Sequence, residues 1–291
     1  MLTLAAIENQ IQTAENLSSI VGTMRTLAMV NIRRFERTTL NLREYARTIR
    51  LALHLTTNGV PSAEWSRLDA TPTGPSLAVL IGSDQGLCGP FNDRMQKHSE
   101  AIWSSPDWSS LVVGVRLGEG LLAAGAQVVT VLNTPVSVEA IGSQARQLLR
   151  IIEEQRSQGR CCQLKVMFHR HVSNVRYQET TLDLLPFSPA KFRELPSDEP
   201  PFHTLPQLDT EAPELLLDLL PQHFLSELGL ALAESAASEN AARLAAMEGA
   251  SRNIDQRLEE LMDAYRQKRQ EEITTELADV LAGAEAVQKH T

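Results

Sequence analysis

Residues 4–53 read LAAIENQIQTAENLSSIVGTMRTLAMVNIRRFERTTLNLREYARTIRLAL, with no proline anywhere in the run. The apolar residues fall at Leu4, Ile7, Ile11, Ala14, Leu17, Val21, Met24, Ala28, Ile32, Phe35, Leu42, Ile49 and Leu53. Most steps are three or four residues, which is the a/d spacing of paired helices sustained over roughly seven heptads. At about 1.5 Å per residue such a helix spans roughly 75 Å, wider than a globular domain of this mass, so the spacing predicts a helix that projects.

A second proline-free stretch, from about Leu225 to Val287, behaves alike, with Leu228, Leu232, Ala242, Ala246, Ile254, Leu258, Leu261, Tyr265, Leu277, Val280, Ala284 and Val287 as seam residues. Its first half, ALAESAASENAARLAAMEGA (231–250), is rich in alanine, which favours helix and lets another backbone come near. Between Tyr265 and Leu277 the heptad slips, with Arg269, Gln270, Ile273 and Thr274 where the seam should run. Neither stripe is stable alone, because a buried Leu or Ile contributes about 1.5–3 kcal/mol only against a partner. Antiparallel pairing of the two termini solves both problems. On that reading Gly22 and Gly249, each costing about 0.5–1 kcal/mol inside a helix, mark close helix approach.

The middle of the chain alternates short apolar runs with amphipathic helices. Strands are expected at Leu77–Ile81, Leu111–Val115 and Val128–Leu132, with helices at Phe91–Trp103, near Leu121 and at Val138–Gln158. That order predicts an α/β fold with a parallel sheet. Leu164–Val172 and Tyr177–Leu185 add a hairpin, and Pro186, Pro189, Pro196, Pro200, Pro201, Pro206 and Pro213 mark an extended connection. The expected organisation is an antiparallel coiled coil of N- and C-terminal helices plus a central α/β domain. Its parts are a coiled-coil helix over 1–57, an α/β domain over 74–190, a proline-rich connection over 186–222 and a coiled-coil helix over 223–291.

With 27 Lys and Arg against 36 Asp and Glu, the 291-residue chain carries a net charge of −9, which opposes binding along nucleic acid. The charge is partly segregated, Arg25, Arg33, Arg34, Arg37, Arg43, Arg47 and Arg50 lying on the first helix and acids crowding the last, so mutual pairing is as natural as a solvated face. Three cysteines, Cys88 with adjacent Cys161 and Cys162, form no even framework and suit a reducing compartment. The start has no basic and apolar leader pattern, and no run of about 18 apolar residues occurs, so a soluble chain is expected.

Local chemistry is sparse. Ser83-Asp84-Gln85-Gly86-Leu87-Cys88-Gly89-Pro90 follows a strand and precedes a helix, where α/β sheets place ligands, but it has neither the Lys nor the following Ser or Thr of a phosphate loop. It is better read as a tight connection. Cys88 lacks a nearby base and reads as a buried structural thiol, while His169 and His171 share a strand face without a third ligand at metal spacing. The histidines are otherwise expected at the surface. Arg243, Arg269, Gln270, Thr274 and Glu276 on the last helix could grip another protein's loop or be an ordinary solvated face.

Ile7, Ile11, Asn16, Ile20, Met24 and Ala28, then SDQGLCGPFN, and finally SENAARLAAM, RQEEITTEL and LAGAEAV together resemble the gamma subunit family of the F-type ATP synthases, nearly end to end. The resemblance implies a non-catalytic central-stalk rotor that couples ion translocation to ATP synthesis or hydrolysis. Its implied partners are the alpha and beta subunits, the epsilon subunit and the c-ring, and its implied place is the cytoplasmic face of the bacterial plasma (inner) membrane, held there through the complex. It implies no cofactor, no metal and no catalytic residue. Met24, Arg243, Arg269, Gln270, Thr274 and Glu276 would touch beta-subunit loops. The chain departs from the pattern at Ser19, Arg25, Gln85 and Gln267, and it lacks the cysteine-bearing insertion of chloroplast members. Two other readings stand beside it: a static coiled-coil scaffold, and an α/β enzyme using Cys88.

Overall fold

In the computed structural model the described residues are 3–59, 74–173, 176–187, 192 and 212–288. Most of the proline-rich connection, including Pro189, Pro196, Pro200, Pro201 and Pro206, lies outside them. The chain divides into two compact units, one of Met1–Leu27 with Leu244–Thr291 and one of Ala28–Arg243.

Within Ala28–Arg243 the elements alternate as the apolar runs require. They are β1 (Ser76–Ile81), α2 (Phe91–His98), α3 (Glu100–Trp103), β2 (Trp108–Val113), α4 (Val115–Ala123), β3 (Val128–Leu132), α5 (Ala140–Ser157), β4 (Leu164–Ser173) and β5 (Arg176–Leu185), flanked by the long helices α1 (Leu4–Gly59) and α6 (Ala212–Gln288). The five-stranded sheet runs β3-β2-β1-β4-β5, parallel except for β5, which returns antiparallel along β4. All six residues of β1, SLAVLI, are buried, as a central parallel strand covered on both faces demands.

The two faces bury different layers. Leu77, Val79, Ile81, Leu111, Val113, Leu164, Val166 and Phe168 pack with α5 and with Phe224–Ala237 of α6. Ala78, Leu80, Val112 and Met167 pack with Met95, Ile102, Leu117 and Leu121 from α2, α3 and α4. The helix expected over Phe91–Trp103 is two pieces that meet at Ser99, whose N–H and hydroxyl both donate to the Met95 carbonyl at 2.9 Å.

From Ala28 onward α1 buries Ala28, Ile32, Phe35, Thr39, Ala46, Ile49 and Leu53, with Leu42 partly buried among them. The steps alternate four and three without a slip. Thr39 and Ala46 complete a seam that the larger apolar residues mark only in part. Asn31 bonds Asn240, Arg43 bonds Glu234 and Tyr45 bonds Gln222, so the partner position falls as the α1 position rises and the pair is antiparallel. In the other unit Ile7, Ile11 and Ala14 pack on Ile254, Leu258, Leu261 and Tyr265, and Tyr265 donates to Glu8 at 2.9 Å.

Four expectations change. The last helix begins at Ala212, not near Leu225, and contains Pro213 and Pro221. Pro213 sits in the first turn, where no intrahelical N–H is needed, and Pro221 lies on an exposed face. The last helix is no single stripe: 231–238 are all buried, since the sheet covers one side and α1 the other. Leu17, placed in the seam by its spacing, is exposed. Gly22 and Gly249 do not mark close approach, for a Cβ built on either meets nothing within 4 Å.

Because Ala233 is fully buried in the layer between sheet and helix, Ala233→Leu overfills it. We expect a loss of about 1–3 kcal/mol, read by denaturant unfolding.

Candidate partner-contact site

The turn after β1 is wired from within. The Ser83 N–H donates to Asn92 Oδ1 at 3.0 Å, Asn92 Nδ2 donates to Ser83 Oγ at 2.8 Å, and that hydroxyl donates to the Gln85 carbonyl at 2.9 Å. The Asp84 carboxylate accepts from the N–H of Val115 at 2.9 Å and from the N–H and hydroxyl of Thr134 at 2.9 and 3.0 Å. One acid thus ties the ends of β1, β2 and β3 together. Its carboxylate sits at the strand ends where an α/β sheet would hold a phosphate, so the corner carries the wrong sign for one. Gly114, at φ 113°, leaves no room for a side chain, since a Cβ there would lie 2.6 Å from the Ser83 nitrogen.

Cys88 is buried with Phe91 and Ala242, so the SDQGLCGPFN turn packs on the SENAARLAAM segment of α6. Burial pushes its thiol up, against the opposing pull of the Ser83 hydrogen bond and Arg243. A nucleophile needs the reverse, a lowered pKa in an accessible place. Arg243 turns to Glu239, four residues earlier, at 2.6 Å, and both side chains are only 12% exposed. Burial raises Glu239, with Arg243 opposing.

Phe91 also stacks on His169, ring centroids 4.1 Å apart, and Tyr177 meets that imidazole edge-on at 5.1 Å. His169 is buried, not at the surface, and neither ring nitrogen has a hydrogen-bond partner among the described residues. Desolvation drives it down to about 3, beyond the help of Glu179 at 3.9 Å, so it is a neutral aromatic core group. His171 instead meets Glu36 at 2.9 Å, which separates the two histidines by environment. His223 is buried as well and lowered to about 4 by desolvation.

The remaining sequence-selected residues lie in the terminal unit. Met24 is half-buried on α1, while Arg269, Gln270, Thr274 and Glu276 are exposed on α6 beyond Tyr265. Gln270 and Thr274, one turn apart, share a shallow concave face with Gln267, Glu271, Thr275 and Ala278, whereas Arg269 and Glu276 do not line it. The Thr274 hydroxyl is turned back onto the Gln270 carbonyl at 2.8 Å. On the same segment Ile273, Leu277, Val280 and Leu281 stand exposed. The heptad slip noted there has a simple cause: α1 begins at Leu4, and Glu8 already pairs with Tyr265, so past this point the first helix soon runs out. Sequence reasoning missed Glu239 and the Asp84 network. The i,i+4 spacing of Glu239 and Arg243 was the available signal for the first; the second needed the strand ends brought together.

A family model described as ATP synthase matches residues 3–287. The chain belongs to the ATP synthase gamma-chain family. An ATP synthase gamma chain of Syntrophobacter fumaroxidans is 30% identical over 300 residues, covering 99% of this chain and 100% of that one. One from Bdellovibrio bacteriovorus is 29% identical over 99% of both chains. Among solved structures, a chain in the rotor of the Euglena gracilis mitochondrial ATP synthase covers 93% of this chain and 98% of its own length with a TM-score of 0.62 at 16% identity. A chain of the Tetrahymena thermophila central stalk and c-ring scores 0.58 at 20% identity, covering 80% of this chain and 99% of its own. These likenesses establish the gamma-chain fold, and membership of the family makes this chain a central-stalk subunit.

His169 yields a pH test. Its folded value lies near 3 against an ordinary 6.5, so the unfolded chain takes up the proton first and stability is lost as pH falls below 6.5. Between pH 7 and pH 5 the wild type should lose up to about 2 kcal/mol that His169→Phe retains, measured by denaturant unfolding at both values. Equal losses in the two proteins would show that His169 is not held neutral.

Proposed function

We propose that this gamma-family chain is the non-catalytic rotor of an ATP synthase, coupling ion movement through a membrane sector to ATP synthesis or hydrolysis in an alpha/beta hexamer. The observation that carries the reading is the end of α6. Past Tyr265 the helix keeps an apolar set, Ile273, Leu277, Val280 and Leu281, without cover from its own chain among the described residues, and carries Gln270 and Thr274 beside it. An apolar surface with a few polar grips suits a shaft end turning inside a sleeve, where strong fixed pairing would stall rotation.

In this reading the helices of 1–57 and 223–291 form a coiled-coil shaft, and the α/β domain of 74–190 meets the epsilon subunit and the c-ring. Met24, Arg269, Gln270, Thr274 and Glu276 touch beta-subunit loops. Arg243 acts together with Glu239, whose pairing fixes how much of the guanidinium faces outward. In this reading the chain binds no nucleotide of its own, and it sits at the cytoplasmic face of the plasma membrane through its partners. An asymmetric shaft can bias otherwise identical catalytic subunits differently, because each meets a different side of it.

Affinity capture of the tagged chain from its source membranes should recover alpha and beta subunits with ATPase activity that the pure chain lacks. Gln270→Ala with Thr274→Ala should then lower coupled turnover by at least about fivefold, the loss expected for two hydrogen-bonding groups, while the complex still assembles. A static scaffold would recover the same partners and show wild-type turnover in the double variant.

A further inference from the structure

Gly22 and Gly249 each weaken a helix, and close packing does not explain either. A Cβ on either would enter open space, unlike Gly229 of α6, whose Cβ would touch Leu42 at 3.8 Å. Their placement is not independent. Glu8 pairs with Tyr265, and stepping forward along α1 and back along antiparallel α6 from that bond brings the two glycines to the same level, within about one turn.

The seam lapses at that level too. No residue of α1 between Ala14 and Ala28 is buried, and on α6 none between Met247 and Ile254 is; Ile254 and Leu258 pack, half-buried, on the Ile7 cluster. Each gap contains one of the glycines. Within the same unit packing resumes toward the start of α1, with Ile7, Ala14 and Leu261 in one cluster. Glycine costs a helix about 0.5–1 kcal/mol relative to alanine, and here no buried side chain offsets it. Such segments are the ones that open locally before the rest of a fold.

We propose that Gly22 and Gly249 form a paired soft point, at which α1 over 15–27 and α6 over 248–253 loosen together as one cooperative unit. The two helices carry the weakness at one level, so opening either removes what little the other has to pack against. The result is a defined point of give within the helix pair of the terminal unit. This rests on the terminal unit's own packing and needs no part of the rotor assignment.

Native-state hydrogen exchange on the full-length chain tests it, read by mass spectrometry of peptides covering both segments. In the wild type both should exchange at least about tenfold faster than Ile32–Leu53. Gly22→Ala should slow exchange about two- to fivefold in 15–27 and equally in 248–253, and Gly249→Ala should do the same in reverse. Slowing confined to the substituted helix would reduce the effect to ordinary helix propensity and overturn the pairing. Wild-type exchange as slow as that of Ile32–Leu53 would overturn the soft point itself. If neither alanine variant slows exchange, yet both impair assembly with partner subunits, the open glycines are places where another chain's backbone approaches, and the proposal fails in favour of docking.

Discussion

Eight successive residues of α6, 231–238, are buried, and the rest of the larger unit is arranged to bury them. A helix covered on every side cannot carry large side chains all round when a sheet and a second helix both lie against it, so the segment is mostly alanine and serine. Its one charge, Glu234, is 2% exposed and receives Arg43 from α1 at 2.7 Å and Arg170 from β4 at 3.4 Å. The Ser238 hydroxyl reaches the His169 carbonyl at 3.0 Å. Glu234 and Ser238, one turn apart on the same face, therefore fix its height and rotation, while the alanines set how near the layers come. The regular seam of α1 from Ala28 to Leu53 is the imprint of that fixed partner.

The Asp84 turn shows why fold and function separate here. A parallel sheet with a glycine-bearing loop at a strand end is the usual address of a nucleotide, yet this chain spends that corner on its own construction. The carboxylate satisfies backbone donors at the ends of two neighbouring strands, and the loop's far side, through Cys88 and Phe91, becomes the seat on which Ala242 of α6 rests. Two stretches remote in sequence are legible as signatures because they meet.

What could be read from the sequence follows from what each residue type reports. Continuous Val, Leu and Ile runs announce buried parallel strands, and a/d spacing announces α1, so the α/β architecture and the helix pairing were legible. Alanine is ambiguous: it fits an exposed helix, a close contact or full burial, and only the assembled layers show which. Thr39 and Ala46 went unseen in the seam for a related reason, since neither advertises hydrophobicity. Pro213 suggested a connection where a helix had begun. His169 and His223 looked like surface residues because an imidazole's charge depends on its surroundings, and these surroundings are dry. Among the contact candidates, the placement of Gln270 and Thr274 on one face followed from helical spacing, whereas the inward turn of Arg243 depended on Glu239 being buried.

The bare apolar end of α6 also bears on the life of the chain before it meets any partner. Ile273, Leu277, Val280 and Leu281 stand between 48% and 69% exposed on one short stretch of helix. Water tolerates such a surface poorly, and a second copy of the same helix would satisfy it as well as the intended neighbour. A newly made chain is therefore prone to self-association for as long as it is alone. On the rotor reading, a neighbour that covers this face would protect the chain from itself as well as complete the assembly.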